Sequence, residues 1–239
     1  MALPFFYIES LAAGALVLEE DTSKHITGVL RMKVGEELLL TDGKGSKAQA
    51  VITDDHRKRC TVQVTAIDQE PEPQPQVTIA ISLLKNAARF EWFLEKATEI
   101  GVRQIIPLLC DRTEKEKFRP DRMTNILVSA MLQSQQSWLP ILHPPTAFSE
   151  VVETAIAANR FIAHCLPQQK QSLHRFSKQL QQGSLMLIGP EGDFTEKEIE
   201  QALQKGFVPV TLGDTRLRTE TAGMVAAVWL CQLAAEAAG

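Results

Sequence analysis

The stretch EPEPQPQVTIAISLL, residues 70–84, divides the sequence into two parts with different patterns. Three prolines alternate with polar residues at positions 71, 73 and 75, and such a run favours an extended spacer because proline lacks a backbone N–H and cannot join a helix interior or a central strand. The apolar run from Val77 to Leu84 then predicts a buried strand. We therefore place the domain boundary here, with one domain over residues 1–70 and a second over residues 76–239.

The N-terminal part has the alternating pattern of β-strands. Three strands are predicted, at Ala48–Thr53, at Thr61–Ile67 beyond the polar turn 54–59, and at Glu37–Thr41, which Asp42-Gly43 ends. Only the segment from His25 to Met32 has a helical pattern. Several short strands at close spacing predict a small β-barrel.

The C-terminal part alternates between strand and helix patterns. After Val77–Leu84, further strands are predicted at Ile105–Cys110, Phe161–Cys165, Leu185–Ile188 and Val208–Leu212. Helical spacing predicts helices from Phe90 to Ile100, from Met123 to Met131, from Thr195 to near Gly206 and from Thr221 to Ala237. Thr195 followed by Glu198 is a capping-box pattern. This alternation predicts an α/β fold with a parallel sheet covered on both faces.

Three predicted loops follow strands at the edge where open parallel sheets bind ligands. They are Leu166-Pro167, the segment GPEGDF at 189–194, and the segment LGDTRLRTETA at 212–222. Glycines around Pro190-Glu191 predict a stiff loop with accessible backbone groups, which suits an adenine or ribose edge. Taken alone, the same loop is more often an ordinary tight turn before a helix. The phosphate-binding patterns GxxxxGK[ST] and GxGxxG are missing from the sequence, which argues against ATP or NAD.

Two arginines, Arg216 and Arg218, precede the last predicted helix. Positive charge is unfavourable near a helix N-terminus, so an anionic partner would explain their placement. Pairing with Asp214 and Glu220 on the surface would explain it equally well, and both interpretations stay open from the residues alone.

Bulk composition limits the class of protein. A net charge of −4 and a pI near 5.8 do not favour a nucleic-acid binder, so any RNA-binding charge must be local. The four cysteines, Cys60, Cys110, Cys165 and Cys231, show no CxxC pair, which predicts neither a metal site nor a disulfide framework. Cys110 and Cys165 lie in apolar stretches and are predicted to be buried thiols. The sequence has no apolar run of bilayer length and its first residues lack signal-peptide features, so we expect a cytoplasmic protein without a membrane partner.

The segments LIGPEGDF at 187–194 and LGDTRLRTETA at 212–222 together resemble the RsmE family of small-subunit (16S) ribosomal RNA uridine-N3 methyltransferases, of the SPOUT class. The resemblance covers nearly the whole chain. HITGVLRMKVG at 25–35, EKATEIGV at 95–102 and Gln133-Ser134 match further family segments.

This resemblance implies a PUA-like, RNA-binding β-barrel followed by a C-terminal domain with a trefoil knot, S-adenosylmethionine as cofactor, no metal, and a homodimer that acts on 16S ribosomal RNA or the small subunit. The last helix, with Met224, Val228 and Trp229, could serve the dimer interface, although burial within one subunit explains it equally well. The implied cofactor residues are Leu166, Pro167, Ile188, Gly189, Pro190, Glu191, Gly192, Leu212, Gly213, Leu217, Arg218, Thr219, Thr221 and Ala222. The implied RNA contacts are Arg31, Lys33, Arg89, Arg112 and Gln133.

Three segments depart from the family pattern. Asp193 replaces a glycine, and we expect its carboxylate to cap the following helix. Gln136 replaces an arginine, and Asn86-Ala87-Ala88 replaces Lys-Gly-Asp, although Arg89 is kept. These departures affect the choice of RNA more than the choice of cofactor.

The mechanistic hypothesis assigns catalysis to Arg218, Arg216 and Glu220. Uridine N3 attacks the cofactor's methyl group in line, and Arg218 stabilises the anion that develops as N3 loses its proton. Arg216 holds a phosphate or the neighbouring loop, and Glu220 orients Arg218 or relays the proton. The alternatives are a methyltransferase of the same class with another RNA target or base position, an RNA-binding ribosome assembly factor that has lost catalysis, and, more distantly, a nucleotide-binding enzyme.

Overall fold

The computed structural model describes residues 3–114 and 118–238. The chain divides into two compact units, one made of Met1–Glu72 with Met131–Leu139, and the other of Pro73–Ala130 with Pro140–Gly239. The boundary predicted in the proline-rich segment treats each domain as one continuous stretch. The structure differs in that residues 131–139 join the N-terminal unit.

Hydrogen bonds explain why this distant segment belongs to the N-terminal unit. Gly45 N donates to Ser137 O at 3.0 Å, and Leu139 N donates to Gly43 O at 2.8 Å. Gly45 has a left-handed φ of 91°, and a Cβ there would lie 2.5 Å from the Trp138 ring. Only glycine therefore lets the Trp138 ring lie against this turn.

The N-terminal unit contains a five-stranded sheet in the order β1-β3-β4-β5-β2. Its strands are β1 (Phe5–Tyr7), β2 (Gly14–Val17), β3 (Glu37–Thr41), β4 (Ser46–Asp54) and β5 (Thr61–Gln69). The three predicted strands are confirmed as β3, β4 and β5, whereas the two short edge strands have too few alternating residues to be predicted. The buried side chains of this unit form one apolar cluster that includes Phe6, Ile26, Leu38, Leu40, Ile52 and Val62.

The helix predicted over His25–Met32 is wrong in its limits. Helix α1 (Glu20–Lys24) begins five residues earlier and continues as a π-helical turn, His25–Val29. Arg31 has a left-handed φ of 58°, which the helix cannot accommodate. Within α1, the buried Ser23 hydroxyl donates to Leu18 O and accepts from Cys60 N, which ties α1 to the residue that precedes β5.

The C-terminal unit contains an eight-stranded parallel sheet. Seven strands follow the order β11-β13-β10-β12-β6-β7-β8, and β9 also pairs with β7. Its strands are β6 (Val77–Ser82), β7 (Gln104–Leu109), β8 (Ile141–Leu142), β9 (Thr146–Ala147), β10 (Asn159–Ala163), β11 (Gln171–Ser172), β12 (Ser184–Ile188) and β13 (Val208–Thr211). The predicted parallel α/β fold is confirmed, and the strands that the sequence missed, β8, β9 and β11, have two residues each.

Helices connect these strands, and local capping explains where several of them begin and end. They are α2 (Ala87–Ile100), α3 (Pro120–Gln133), α4 (Phe148–Thr154), α5 (Glu196–Gln204) and α6 (Thr219–Ala238), with 3-10 turns at Leu173–Phe176 and Leu180–Gln182. Asn86 caps α2 by accepting from Ala88 N, so the departure at this position supplies a helix cap. The predicted capping box of Thr195 and Glu198 is confirmed at α5. The sequence analysis did not predict α4.

Helix α6 packs against α2, β6 and β12, and also contacts both 3-10 turns of the β10–β12 connection. The trefoil knot implied by the resemblance stays a prediction. The Trp229 ring packs on His174 with centroids 4.5 Å apart, whereas Val228 is exposed. Despite its length, α6 is not apolar enough to cross a membrane, nor is any other helix in the described ranges.

Gly223 sets how closely α6 approaches its neighbours. A Cβ at this position would lie 2.7 Å from Ile81 Cδ1 and 2.8 Å from Phe93 Cε2. Glycine is normally unfavourable inside a helix, so its presence here reflects close packing rather than helix propensity.

We expect Gly223→Ala to lower the free energy of unfolding by about 1–3 kcal/mol, because overpacking a filled core outweighs the gain in helix propensity. Urea unfolding followed by circular dichroism measures this change. Gly28→Ala is the control, since a Cβ at this helical glycine meets no atom within 4 Å. Equal stability of both variants would show that α6 has room to shift.

Candidate functional site

Strand β10 lies between β12 and β13, and the three strands end at the same level. Ala163 at the end of β10 pairs with Ile188 on one side and with Val210 on the other. Because all three strands run parallel, the loops that follow them leave the sheet side by side. The structure thus brings together the three loops that the sequence predicted as ligand-binding.

Two adjoining cavities lie among these loops, with volumes of about 270 Å³ and 480 Å³. Ligand pockets typically have volumes of about 300–1,000 Å³, so the pair is large enough for a small cofactor. Both cavities are lined by Ala163, Cys165, Asp193, Arg216, Leu217 and Ala222.

Most of the predicted cofactor residues line one of these cavities. The smaller cavity is lined by Ile188, Gly189, Pro190, Glu191, Arg218 and Thr219, and the larger one by Leu212 and Gly213. Among the described residues, four predicted cofactor residues line neither cavity. Leu166 packs on the apolar core, Pro167 and Thr221 are exposed, and Gly192 O accepts from Arg112 Nη1 at 2.7 Å.

The sequence analysis missed other lining residues. These further lining residues are Ala163, His164, Cys165, Lys170, Asp193, Val210, Thr211, Asp214 and Thr215. Their positions next to the predicted loops are the signal that would have found them.

The prediction of a buried Cys165 thiol is wrong, because β10 ends at Ala163 and leaves Cys165 exposed in the loop. Cys110 is buried as predicted, and burial raises the pKa of its thiol. His164, in contrast to Cys165, is 7% exposed, and burial lowers the pKa of its imidazole. Neither ring nitrogen of His164 has a hydrogen-bond partner among the described residues.

The loop at 189–194 is a tight turn fixed by its own contacts. Asp193 N donates to Pro190 O at 2.9 Å. A Cβ at Gly189 would lie 3.0 Å from the ring of Phe194, which is buried in the core against Phe148. The stiffness predicted for this loop therefore comes from glycine at its start and a buried aromatic residue at its end.

Asp193 does not cap α5, contrary to expectation, because Thr195 already occupies the capping position. Its backbone has a left-handed φ of 64°. Its carboxylate accepts from Phe194 N at 2.8 Å and from Cys165 N at 2.7 Å. The side chain therefore points back toward the cavity.

Arg89 joins three elements of the site. Its guanidinium lies 3.5 Å from Glu191 in the loop after β12 and 3.7 Å from Glu220 in the first turn of α6. Glu220 is only 8% exposed, and its Oε2 has no hydrogen-bond partner among the described residues. The structure thus places Glu220 beside Arg89, whereas the hypothesis had it orienting Arg218 or relaying the proton.

Arg216 and Arg218 are exposed at the cavity wall. Within residues 3–114 and 118–238, neither forms a salt bridge with a carboxylate, so pairing with Asp214 and Glu220 does not explain their placement.

The remaining predicted RNA contacts lie in both units. Arg112 is exposed in the C-terminal unit, where its Nη1 contacts Gly192. In the N-terminal unit, Arg31 and Gln133 are exposed, and Lys33 Nζ lies 3.2 Å from Asp55. None of these side chains lines the two cavities. In the described part of the chain, no group of three His, Cys, Asp or Glu side chains is arranged to hold a metal ion.

Two family models match the chain. An RNA methyltransferase domain matches residues 70–231, and an RNA methyltransferase PUA domain matches residues 18–65. The chain is also 31% identical to a ribosomal RNA small subunit methyltransferase E from Synechocystis sp., over 91% of this chain and 73% of the relative. The chain belongs to the ribosomal RNA small subunit methyltransferase E family.

Solved structures of this kind share the fold. A probable rRNA-methyltransferase from Porphyromonas gingivalis is 40% identical, with a TM-score of 0.91, over 98% of this chain and 99% of that one. A ribosomal RNA small subunit methyltransferase E from Neisseria gonorrhoeae, bound to S-adenosyl methionine, is 28% identical, with a TM-score of 0.86, over 97% of this chain and 98% of that one. The RsmE resemblance found in the sequence is confirmed, as is the fold of a PUA domain followed by an α/β RNA methyltransferase domain.

We expect Arg89→Ala to destabilise the protein by about 1–2 kcal/mol, because it leaves the buried Glu220 carboxylate without its cation. Adding Glu220→Gln should recover most of that loss, and urea unfolding of the four members of this double-mutant cycle measures the coupling. Arg112→Ala is the control, because this exposed arginine donates to a backbone carbonyl. Additive effects of the two changes would exclude a role for Arg89 in holding Glu220.

Proposed function

We propose that this protein methylates N3 of a uridine in 16S ribosomal RNA of the small subunit, with S-adenosylmethionine as methyl donor. The observation that carries the proposal is the pair of adjoining cavities beyond the ends of β10, β12 and β13. The two segments that resemble the family line these cavities. The S-adenosyl methionine bound to the Neisseria relative supports the choice of cofactor.

The residues at the cavities fit this cofactor. Ile188, Leu217 and Ala222 offer an apolar wall for an adenine ring, and the turn that begins at Gly189 offers backbone groups for directed hydrogen bonds. The Glu191 carboxylate lines the smaller cavity, where it would lie near a molecule that carries a sulfonium and an ammonium group. When bound, S-adenosylmethionine supplies an electrophilic methyl group.

The reaction forms a bond from uridine N3 to the methyl carbon, breaks the bond from that carbon to sulfur, and releases the N3 proton. Negative charge develops on uridine as the proton leaves. Arg218 is exposed at the smaller cavity and has no carboxylate partner among the described residues, so it is placed to stabilise that charge. Arg216, which lines both cavities, holds a backbone phosphate. Glu220 is assigned to holding Arg89, since these two side chains are neighbours.

The proposal includes a cytoplasmic homodimer that binds RNA through both units and needs no metal. Two exposed apolar side chains, Trp92 on α2 and Val228 on α6, support an interface that involves these two helices. Arg31 and Lys33 are both exposed, and Lys33 also pairs with Asp55. Their positive charges support RNA contacts by the N-terminal unit. An assembly factor without catalysis is not favoured, because Arg216 and Arg218 line the cavity and have no carboxylate partner in the part of the chain that the structure describes.

We expect Arg218→Ala to reduce methylation of small-subunit RNA at least about a hundredfold, because an arginine that stabilises developing charge contributes on this order. Calorimetry should show S-adenosylmethionine affinity within about threefold of the unchanged protein, a margin of less than 1 kcal/mol. The RNA comes from a strain without the gene, and primer extension maps the methylated position. Arg175→Ala is the control, since this exposed arginine lines neither cavity. Wild-type turnover by Arg218→Ala would remove Arg218 from the mechanism.

A further inference from the structure

Asp193 adopts a backbone conformation that its side chain makes costly. It is the only non-glycine residue in the described part of the C-terminal unit with a left-handed φ, at 64°. A residue with a Cβ costs about 1–2 kcal/mol in this region, whereas glycine, which the resembling family has at this position, adopts it freely. An interaction of the aspartate side chain must therefore offset the cost.

The carboxylate makes two short hydrogen bonds to backbone donors. Phe194 N donates to Oδ1 at 2.8 Å, and Cys165 N donates to Oδ2 at 2.7 Å. Hydrogen bonds to a charged acceptor are shorter and stronger than bonds between neutral groups. The first bond is local to the turn, whereas the second reaches 28 residues back along the chain.

The second bond connects two loops beyond the end of the sheet. The parallel pairing of β10 with β12 ends at Ala163 and Ile188. Cys165 lies two residues beyond that point on one loop, and Asp193 lies five residues beyond it on the other. The carboxylate thus extends the connection between the two chain segments past the last backbone pair.

The connected residues form part of the cavity wall. Asp193 and Cys165 each line both cavities. A loop that is fixed before the ligand arrives spares the binding step the entropy cost of ordering it.

We propose that Asp193 is a positioning residue, whose carboxylate ties the loop after β12 to the loop after β10 and holds the cofactor cavity pre-formed. The assignment of the cavity to S-adenosylmethionine rests on the proposed function. The tie between the loops is a property of the protein alone, and it is tested separately.

Two variants, Asp193→Gly and Asp193→Asn, distinguish the effect of the carboxylate from the effect of the backbone conformation. Glycine adopts the left-handed conformation freely and asparagine adopts it about as readily as aspartate, so neither variant adds strain to the turn. Glycine removes both hydrogen bonds, and asparagine keeps an acceptor for one of them.

Hydrogen exchange of the Cys165 amide in the protein without cofactor reports the tie directly. We expect exchange at least tenfold faster in Asp193→Gly and an intermediate rate in Asp193→Asn. Unchanged exchange in both variants would overturn the proposal, whatever the protein binds.

Calorimetry with S-adenosylmethionine and with S-adenosylhomocysteine, the product with a neutral sulfur, reports the effect on the cavity. We expect Asp193→Gly to weaken both ligands about tenfold, to raise the KM for the cofactor by a similar factor, and to leave kcat at saturating cofactor within twofold. Loss of affinity for S-adenosylmethionine alone would overturn the positioning role, because it would show that the carboxylate acts by attraction to the sulfonium.

Gln135→Gly is the matched control. Gln135 is also a non-glycine residue with a left-handed φ, 60°, and it lies in the N-terminal unit. Its replacement relieves the same backbone strain and should leave both affinities unchanged. If the unchanged protein binds neither ligand, the proposed function fails, while faster exchange at Cys165 in Asp193→Gly still supports the tie.

Discussion

The parallel pairing of β10 with both β12 and β13 is the constraint on which the site depends. Ala163 has a partner on each side, Ile188 and Val210, so three strands end at one level and three loops leave the sheet together. A shift of one residue in either register would turn every side chain of that strand to the opposite face. All five residues of β12 are buried, so such a shift would also force close-packed side chains on both faces of this strand to repack.

Interactions beyond the strand ends then fix the loops. Phe194 anchors the turn after β12 in the apolar core, and the Asp193 carboxylate reaches Cys165 on the next loop. Arg89 contributes from α2 through Glu191 and Glu220, which places the first turn of α6 in the same network. Each loop is therefore held both by its own strand and by a side chain from another part of the chain.

Local patterns in the sequence predicted much of this fold. The alternation in Thr61–Ile67, the capping box at Thr195 and the apolar run after the prolines each reflect neighbouring residues only, and each is confirmed. Strands of two residues, such as β8 and β11, carry no period and cannot be recognised in this way. The limits of α1 were not predicted for a similar reason. Arg31 adopts a left-handed conformation without being a glycine, so the sequence carries no local signal for it.

Long-range contacts account for what the sequence did not predict. Residues 131–139 join the N-terminal unit through hydrogen bonds to the turn around Gly45, about ninety residues away in the chain. The partners of Glu220 and Asp193 depend on how α2 and β10 are placed, and neither distance can be derived from spacing. The family resemblance predicted which loops bind a ligand and which cofactor it is. The role of Asp193 is inferred from its hydrogen bonds, which only the structure gives.

The arginines show how an acidic protein can offer local positive charge to RNA. Arg122 donates two bonds to Glu91, and Arg89 lies between two carboxylates, so the charges of both are balanced within the fold. Arg216 and Arg218 have no such carboxylate among the described residues, although they lie just before the positive end of the α6 dipole. The two cavities thus hold the cations of Lys170, Arg216 and Arg218 beside three carboxylates, so positive charge is available locally despite a net charge of −4. A developing anion or a phosphate would relieve the repulsion between Arg216, Arg218 and the positive end of the α6 dipole.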